Sequence, residues 1–392
     1  MRILQVVPVF SSPFGGPVTV VKSISKELAK RHDVIVYTTT ALDLKHDSNP
    51  REEEIDGYRV TYFSRALKPL CYSYLFGQLN TSWGMMSAIK RNIKNFDIVH
   101  LHSWQQFPDF IVHHYATKCN VPYVLQAHGS IPRIGKKMRK LLYDATFGYS
   151  ILQDASKVIA LNNLEAEQYR AMGVPEEKIA IVPNGIDLSD YANLPPKGSF
   201  KSKHNIPEDK KIILYLGRIH RTKGIDFLIK AYAYLTRKIG YKDAILVIAG
   251  PNDGYLNEAK VLAKSLDLAN SIIFTGFISK EDKLKALVDA EVFVTPCFYG
   301  FPVTFLEACA TGTPIVTTNL GDVLEWIDGK AGYVTRPTPY DMAEAIHSII
   351  SDEELRRRLS ENCVNIVKSC FSIENITSKL EKVYEKVLEN RI

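Results

Sequence analysis

No apolar run in this 392-residue chain approaches the ~20 residues that span a bilayer. The opening MRILQVVPVF lacks the basic, long apolar and cleavage segments of a secretion signal. The expectation is a cytoplasmic protein that at most rests on the inner face of a membrane. Cysteine is sparse, with six residues at Cys71, Cys119, Cys297, Cys309, Cys363 and Cys370. None forms C-x-x-C or comes with ligand-spaced histidines, which excludes a disulfide framework or zinc site and leaves buried, reduced thiols. No G-x-G-x-x-G follows a first strand, which argues against an NAD-dependent dehydrogenase. Charge of one sign is in only slight excess, 49 Lys and Arg against 43 Asp and Glu. The basic residues fit no RNA-binding motif, so nucleic acid is not an expected partner.

With 46% hydrophobic and 23% charged residues the chain folds throughout, and its length suggests two domains. The first half opens with an apolar run at 3–9, a Pro and Gly-rich loop, a helical pattern at 18–30 with Val20, Val21, Ile24 and Leu28 on one face, and another apolar run at 33–38. Strand, loop, helix, strand is a βαβ unit, which builds a parallel sheet. Further short runs fall at 60–63, 98–101, 123–127, 158–161 and 179–182. The second half restarts the plan with strands at 211–216, 244–249, 272–274 and 292–295 alternating with helices at 224–239, 256–266, 280–289 and 303–311. Residues 194–204, rich in Pro, Gly and Lys, read as the linker. In such α/β sheets ligands bind beyond the carboxyl ends of the strands, so the chemistry is sought there.

Two loops stand out. In Gly217-Arg218-Ile219-His220-Arg221-Thr222-Lys223-Gly224, two cations flank a strand-to-helix passage. A planar guanidinium and a compact ammonium there suit phosphate oxygens, with the following helix N-terminus adding N–H donors. A solvated basic turn is the plainer alternative. In the run from Pro296 to Ala308 a strand gives way to a helix whose first amides, around Val303, Thr304 and Phe305, are free for a phosphate. Glu307, one turn in, could accept bonds from vicinal ribose hydroxyls, or could simply complement the helix dipole.

The ordered set G-R-x-x-x-x-K-G, F-T-G-F, G-F-P-x-x-x-L-E-A and V-P-N-G-I-D, with Gly15-Gly16 and His128-Gly129 in the first half, resembles glycosyltransferase family 4, the retaining GT-B enzymes also described as glycosyl transferases group 1. The resemblance covers nearly the whole chain. It implies an α/β protein of two Rossmann-like domains facing across a cleft: an acceptor domain over 1–188, a nucleotide-sugar domain over 189–371, and a C-terminal helix, about 372–392, that packs back on the first. Arg218 and Lys223 would neutralise the donor diphosphate and act with His128 in catalysis, His128 lying beside the donor sugar. Gly16, Gly250, Phe277, Ile278, Tyr299, Gly300, Phe301, Val303, Thr304 and Glu307 would complete the donor site, and His102, Trp104 and Asn184 would face the acceptor. The family often has a second glutamate eight positions before the ribose glutamate. Tyr299 stands there instead, which bears on the choice of donor sugar.

No D-x-D-like pair sits at a strand end. The resemblance thus implies transfer of a hexose from a UDP- or GDP-linked sugar with no metal or other cofactor, to a hydroxyl of a glycan or lipid-linked acceptor. A nucleotide-sugar epimerase of the same fold and a catalytically silent sugar-binding subunit are the competing readings. On the acceptor side, the aromatic stretch 67–76 precedes a basic, amphipathic one containing Arg133, Lys136, Lys137, Arg139 and Lys140. That second pattern suits either a helix lying on anionic lipid or an ordinary solvated face.

Overall fold

The computed structural model describes residues 1–11, 15–42, 46–66, 80–131, 141–298, 300–320 and 324–390. Tyr299, Cys71, the stretch 67–76 and the five basic residues between 133 and 140 lie outside them. The chain divides into two compact units, Met1–Gly185 with Ile373–Ile392, and Ile186–Ser372.

The first unit is built on eight strands: β1 (Arg2–Val6), β2 (Asp33–Thr39), β3 (Arg51–Ile55), β4 (Tyr58–Phe63), β5 (Ile98–Leu101), β6 (Tyr123–Gln126), β7 (Lys157–Ala160) and β8 (Ile179–Ile181). Their order is β3-β4-β2-β1-β5-β6-β7-β8, and every pairing except β3 with β4 is parallel. The central strands β5 and β6 are buried at every residue, as parallel strands covered on both faces must be. Helix Gly16–Ala29 packs Val20, Val21, Ile24 and Leu28 inward. Hydrophobic patterning alone does not show β3, because its sequence is REEEI and it forms a solvated edge. Its signal is the turn: Asp56 and Gly57 both take positive φ, 48° and 83°, the geometry a two-residue hairpin demands. Glu53 then accepts from the Tyr62 hydroxyl at 2.6 Å.

Helix Ile373–Glu389 belongs to this first unit. It buries Ile373, Ile376, Leu380, Tyr384 and Val387, the three- and four-residue spacing of a single helical face. Arg31 donates to both oxygens of Glu381, at 3.0 and 2.8 Å, and His32 lies 2.8 Å from the same carboxylate.

The second unit carries six parallel strands, β9 (Lys211–Leu216), β10 (Ala244–Ala249), β11 (Ile272–Gly276), β12 (Ala290–Thr295), β13 (Ile315–Thr318) and β14 (Gly332–Thr335), in the order β11-β10-β9-β12-β13-β14. The four helices expected between the strands are present at Ile225–Tyr234, Leu256–Ser265, Lys280–Asp289 and Val303–Ala310.

The expected linker is corrected. Residues 198–203 are docked on this unit as a short helix, Ser199–Lys203, with Phe200 fully buried. The buried Asp289 carboxylate accepts from the amides of Gly198, Phe200 and Lys201 at 2.6, 2.7 and 3.0 Å. A polar composition can form structure when one internal carboxylate satisfies a helix's orphan N–H groups. The cysteine expectation is corrected too: Cys309 and Cys363 are buried, but Cys119 and Cys297 are partly exposed and Cys370 is exposed. Among the described residues no helix is long and apolar enough to cross a membrane.

Candidate active site

In the second unit the two motif loops leave neighbouring strands, since β9 lies between β10 and β12. Gly217 and Arg218 follow β9, and Gly250 follows β10. A Cβ at Gly250 would fall 1.9 Å from the Gly217 carbonyl oxygen, so only glycine permits this approach of the two strand ends. Gly224, at φ 69°, closes the first loop, where a Cβ would sit 3.0 Å from Pro296 Cβ at the head of the second. The loop of Arg218 and Lys223 therefore packs against the loop that opens helix Val303–Ala310.

Arg218 is exposed and held by Asp253, which its Nη1 meets at 2.6 Å. Lys223 ends a short turn, Arg221–Lys223, and is half-buried. Burial, and secondarily the Arg218 charge, push its ammonium below the usual lysine range. Two cations close enough to disfavour each other are suited to an anion of more than one charge.

Helix Val303–Ala310 begins at Pro302 with no side-chain cap and no acid in its first turn. Helix Ile225–Tyr234, by contrast, has Asp226 in its first turn, paired with Lys230 at 3.3 Å. The anion-attracting helix start is thus the one at Val303 and Thr304. Glu307 is buried, with Oε1 accepting from Lys283 Nζ at 2.5 Å and Oε2 sealed from solvent without a partner among the described residues. An unsatisfied buried acceptor costs about 1–3 kcal/mol, so Oε2 favours any hydroxyl that reaches it. The Glu307 charge also contributes, after burial, to raising the Tyr191 phenol. Tyr191 and Lys283 line a cavity of about 330 Å³ with Asp190, Lys280 and Leu284.

The other expected donor residues are less uniform. Phe277 is exposed beyond β11, with Ile278 half-buried beside it. Gly300 takes positive φ. Phe301 turns its ring into an aromatic cluster, stacked on Trp326 at 5.8 Å and against Phe371 at 5.3 Å. Val303 is buried and Thr304 half-buried, which leaves their backbone amides rather than their side chains at the helix start.

In the first unit, Gly16 is exposed at the start of its helix, with Gly15 as a cap that makes no side-chain bond and no acid in the first turn. His128 follows β6 in the left-handed conformation, φ 51°, and Gly129 continues it at 78°. The two loops after β6 and β7 are tied together by Glu165, which accepts from the amides of Gly129 and Leu161 at 2.7 and 2.8 Å. Burial outweighs those two bonds and raises the Glu165 carboxyl.

Behind His128 lies a buried polar chain. His128 Nε2 is 3.0 Å from His102 Nδ1, and the rings are stacked. His102 Nε2 contacts the Gln5 side-chain oxygen. Gln5 Nε2 reaches the Tyr384 hydroxyl at 3.5 Å, and that hydroxyl lies 2.7 Å from His100 Nδ1. Burial pushes His128 down to about 4, and holds His100 and His102 well below the usual histidine range, so all three are neutral at pH 7. Trp104 is buried, edge-on to Tyr143, with its indole N–H unpartnered among the described residues. Asn184 is buried after β8. The structure joins His102 to His128 by a direct contact; the sequence reading placed them in separate roles.

Among the described residues no group of three His, Cys, Asp or Glu side chains is arranged to hold a metal. Sequence reasoning passed over Gln5, His100, Glu165, Lys283 and Tyr384.

Comparison with known proteins follows the two units. The model for glycosyl transferases group 1 matches residues 197–365, and that for glycosyltransferase family 4 matches residues 14–190. An uncharacterized glycosyltransferase of Methanocaldococcus jannaschii is 26% identical, over 96% of this chain and 95% of the relative. The D-inositol 3-phosphate glycosyltransferase of Kineococcus radiotolerans is 24% identical, over 96% and 92%. The crystal structure of Anabaena HepE in complex with UDP and glucose superposes with a TM-score of 0.80 at 18% identity, covering 98% of this chain and all of that one.

Proposed function

This chain is a glycosyltransferase of family 4 with the GT-B fold, and on that footing we propose that it moves a hexose, with retention, from a UDP- or GDP-linked donor to a hydroxyl of a glycan or lipid-linked acceptor. The observation that carries the reading is the convergence in the second unit of Arg218, Lys223, an uncapped helix start and the unsatisfied oxygen of Glu307. A nucleoside diphosphate needs two cations or their equivalent at its phosphates and an acceptor at its ribose. UDP in the complex of the structurally similar HepE supports the same ligand class here.

In the proposed reaction the bond between the anomeric carbon and the diphosphate oxygen breaks, and its electron pair leaves with the phosphate. Arg218 and Lys223 stabilise that growing charge together with the amides at Val303 and Thr304, doing electrostatically what a metal would do elsewhere. The acceptor oxygen bonds to the anomeric carbon on the face the phosphate leaves, and its proton passes to the departing phosphate oxygen. Gly276, Phe277 and Ile278 border the base, and Gly300 lets the chain turn toward the sugar. In this reading His128 and Gly16 serve the donor sugar and Trp104 and Asn184 the acceptor, while His102, buried with one ring nitrogen on Gln5 and the other on His128, acts only through His128. The exposed Leu141, Leu142 and Phe147 adjoin the basic sequence stretch and support peripheral contact with anionic lipid.

A thermal-shift screen of UDP, GDP and ADP tests the donor class. Stabilisation by one uracil or guanine nucleotide is expected through linkage. Stabilisation by ADP alone, or by none of the three, would overturn the reading.

A further inference from the structure

We propose that Gln5, oriented by Tyr384, acts as a positioning residue that fixes the tautomers of His102 and His128, leaving Nδ1 of His128 as the proton-free acceptor nitrogen. The inference deepens the role given to His128 above. It follows from tracing donors and acceptors along the chain of contacts.

Start at the helix end. The Tyr384 hydroxyl has one proton, and its shortest partner is His100 Nδ1 at 2.7 Å. Donating there, it keeps lone pairs for the Gln5 amide N–H at 3.5 Å. That contact turns the amide nitrogen toward Tyr384 and the carbonyl oxygen toward His102. A carbonyl oxygen only accepts, so His102 must carry its proton on Nε2. A neutral imidazole then has a bare Nδ1, which accepts from His128 Nε2–H across 3.0 Å. The remaining ring atom, His128 Nδ1, is sealed from solvent and unpartnered among the described residues. It is a lone pair waiting for an O–H donor, the chemistry of a sugar hydroxyl.

The surroundings favour a fixed state over a mobile one. His100 and His102 are buried and their ring centroids lie 3.8 Å apart, which disfavours charging either ring. Gln5 is fully buried within β1, between two parallel neighbours, so no water competes for its amide. The helix that carries Tyr384 is 379 residues from Gln5 in sequence yet part of the same compact unit.

The test is two-bond nitrogen–proton correlation spectroscopy of the full chain labelled at histidine, which reads each ring's tautomer directly. In the wild type, His102 and His128 should both show a protonated Nε2 and a strongly downfield, unprotonated Nδ1. Gln5→Met and Tyr384→Phe, each close in size to the original, should both shift those resonances toward a mixture of tautomers. A wild-type His128 protonated at Nδ1 would overturn the proposal, as would variants with unchanged histidine spectra. A shift in Gln5→Met alone would overturn the part assigned to Tyr384. These spectra need no substrate. The sugar-side role of His128 is tested apart from them, by UDP-glucose hydrolysis in His128→Ala, so the two can fail separately.

Discussion

Replacing Glu307 by Gln changes one oxygen to an amide and removes one charge at a buried point. In the structure Oε1 is engaged by Lys283 at 2.5 Å while Oε2 has no hydrogen-bond partner among the described residues. A ribose diol can thus bond Oε2 without first breaking the ion pair. A hydrogen bond to a charged acceptor contributes about 1.5–3 kcal/mol, against about 0.5–1.5 for a neutral one, so the variant should lose about 1–2 kcal/mol of nucleotide binding. That is about a 5- to 30-fold rise in Kd. The fold should tolerate the change, because the Lys283 side chain is 30% exposed and can turn to water, which holds the stability cost to about 1 kcal/mol or less. Titration calorimetry with the nucleotide chosen by the thermal-shift screen measures the first quantity, and urea unfolding the second. Lys283→Met serves as the control: it frees Oε1, so affinity should hold or rise. The reasoning is refuted if Glu307→Gln binds within about twofold of the wild type while losing about 0.3–1 kcal/mol of stability, the signature of a residue that only complements a helix dipole.

Other outcomes follow from the same site. Lys223→Ala should lower turnover of the nucleotide sugar matching the stabilising nucleotide by about 10²–10³, the size of effect seen when a charge-stabilising group is removed, with Tm little changed; equal initial rates would remove Lys223 from the chemistry. Because its ammonium is pushed down and the charged form is the useful one, turnover should fall as pH rises, with an inflection below the ordinary lysine value of about 10.4. Lys223→Arg should abolish that alkaline limb, and a limb that persists would assign it elsewhere. EDTA should leave turnover unchanged, as measured by nucleotide release. Asp109 offers a test of stability: burial pushes it up to about 7 even though the Gln106 amide and the Ser103 hydroxyl donate to it. A raised carboxyl binds its proton more tightly folded than unfolded, so its contribution is fully present below about pH 4 and is lost as pH rises to about 7. Asp109→Asn should therefore flatten the decline of urea-unfolding stability between pH 5 and pH 8, and parallel profiles would contradict it.

How much of this was readable in advance depends on distance along the chain. The loops proposed to hold the donor are legible because each is local: a strand, a glycine or two, a charged residue and a helix start lie within about a dozen residues, and parallel α/β sheets gather such loops at one end. Arg218, Lys223 and Glu307 emerge from that logic. Gln5 does not, because nothing within β1 distinguishes a buried glutamine from a packing error until His102 and Tyr384 are seen beside it. Lys283 reads as one of several lysines on a solvated helix until its ammonium is found on Glu307. The edge strand Arg51–Ile55 failed the hydrophobic test for a physical reason, since an edge gains by carrying charge. Docking of residues 198–203 was hidden because its cause, Asp289, lies about ninety residues away.

The Asp289 carboxylate also sets a limit on how the second unit can be cut out and expressed. It is wholly buried and takes three amide protons from Gly198, Phe200 and Lys201. A fragment begun after Lys203 would strip that carboxylate of all three donors, and hydrogen bonds to a charged group contribute about 1.5–3 kcal/mol each. It would also uncover the ground on which Phe200 is packed. A fragment begun at Ile186 retains both, so a difference of fewer than twenty residues at the N-terminus should separate a soluble domain from an aggregating one.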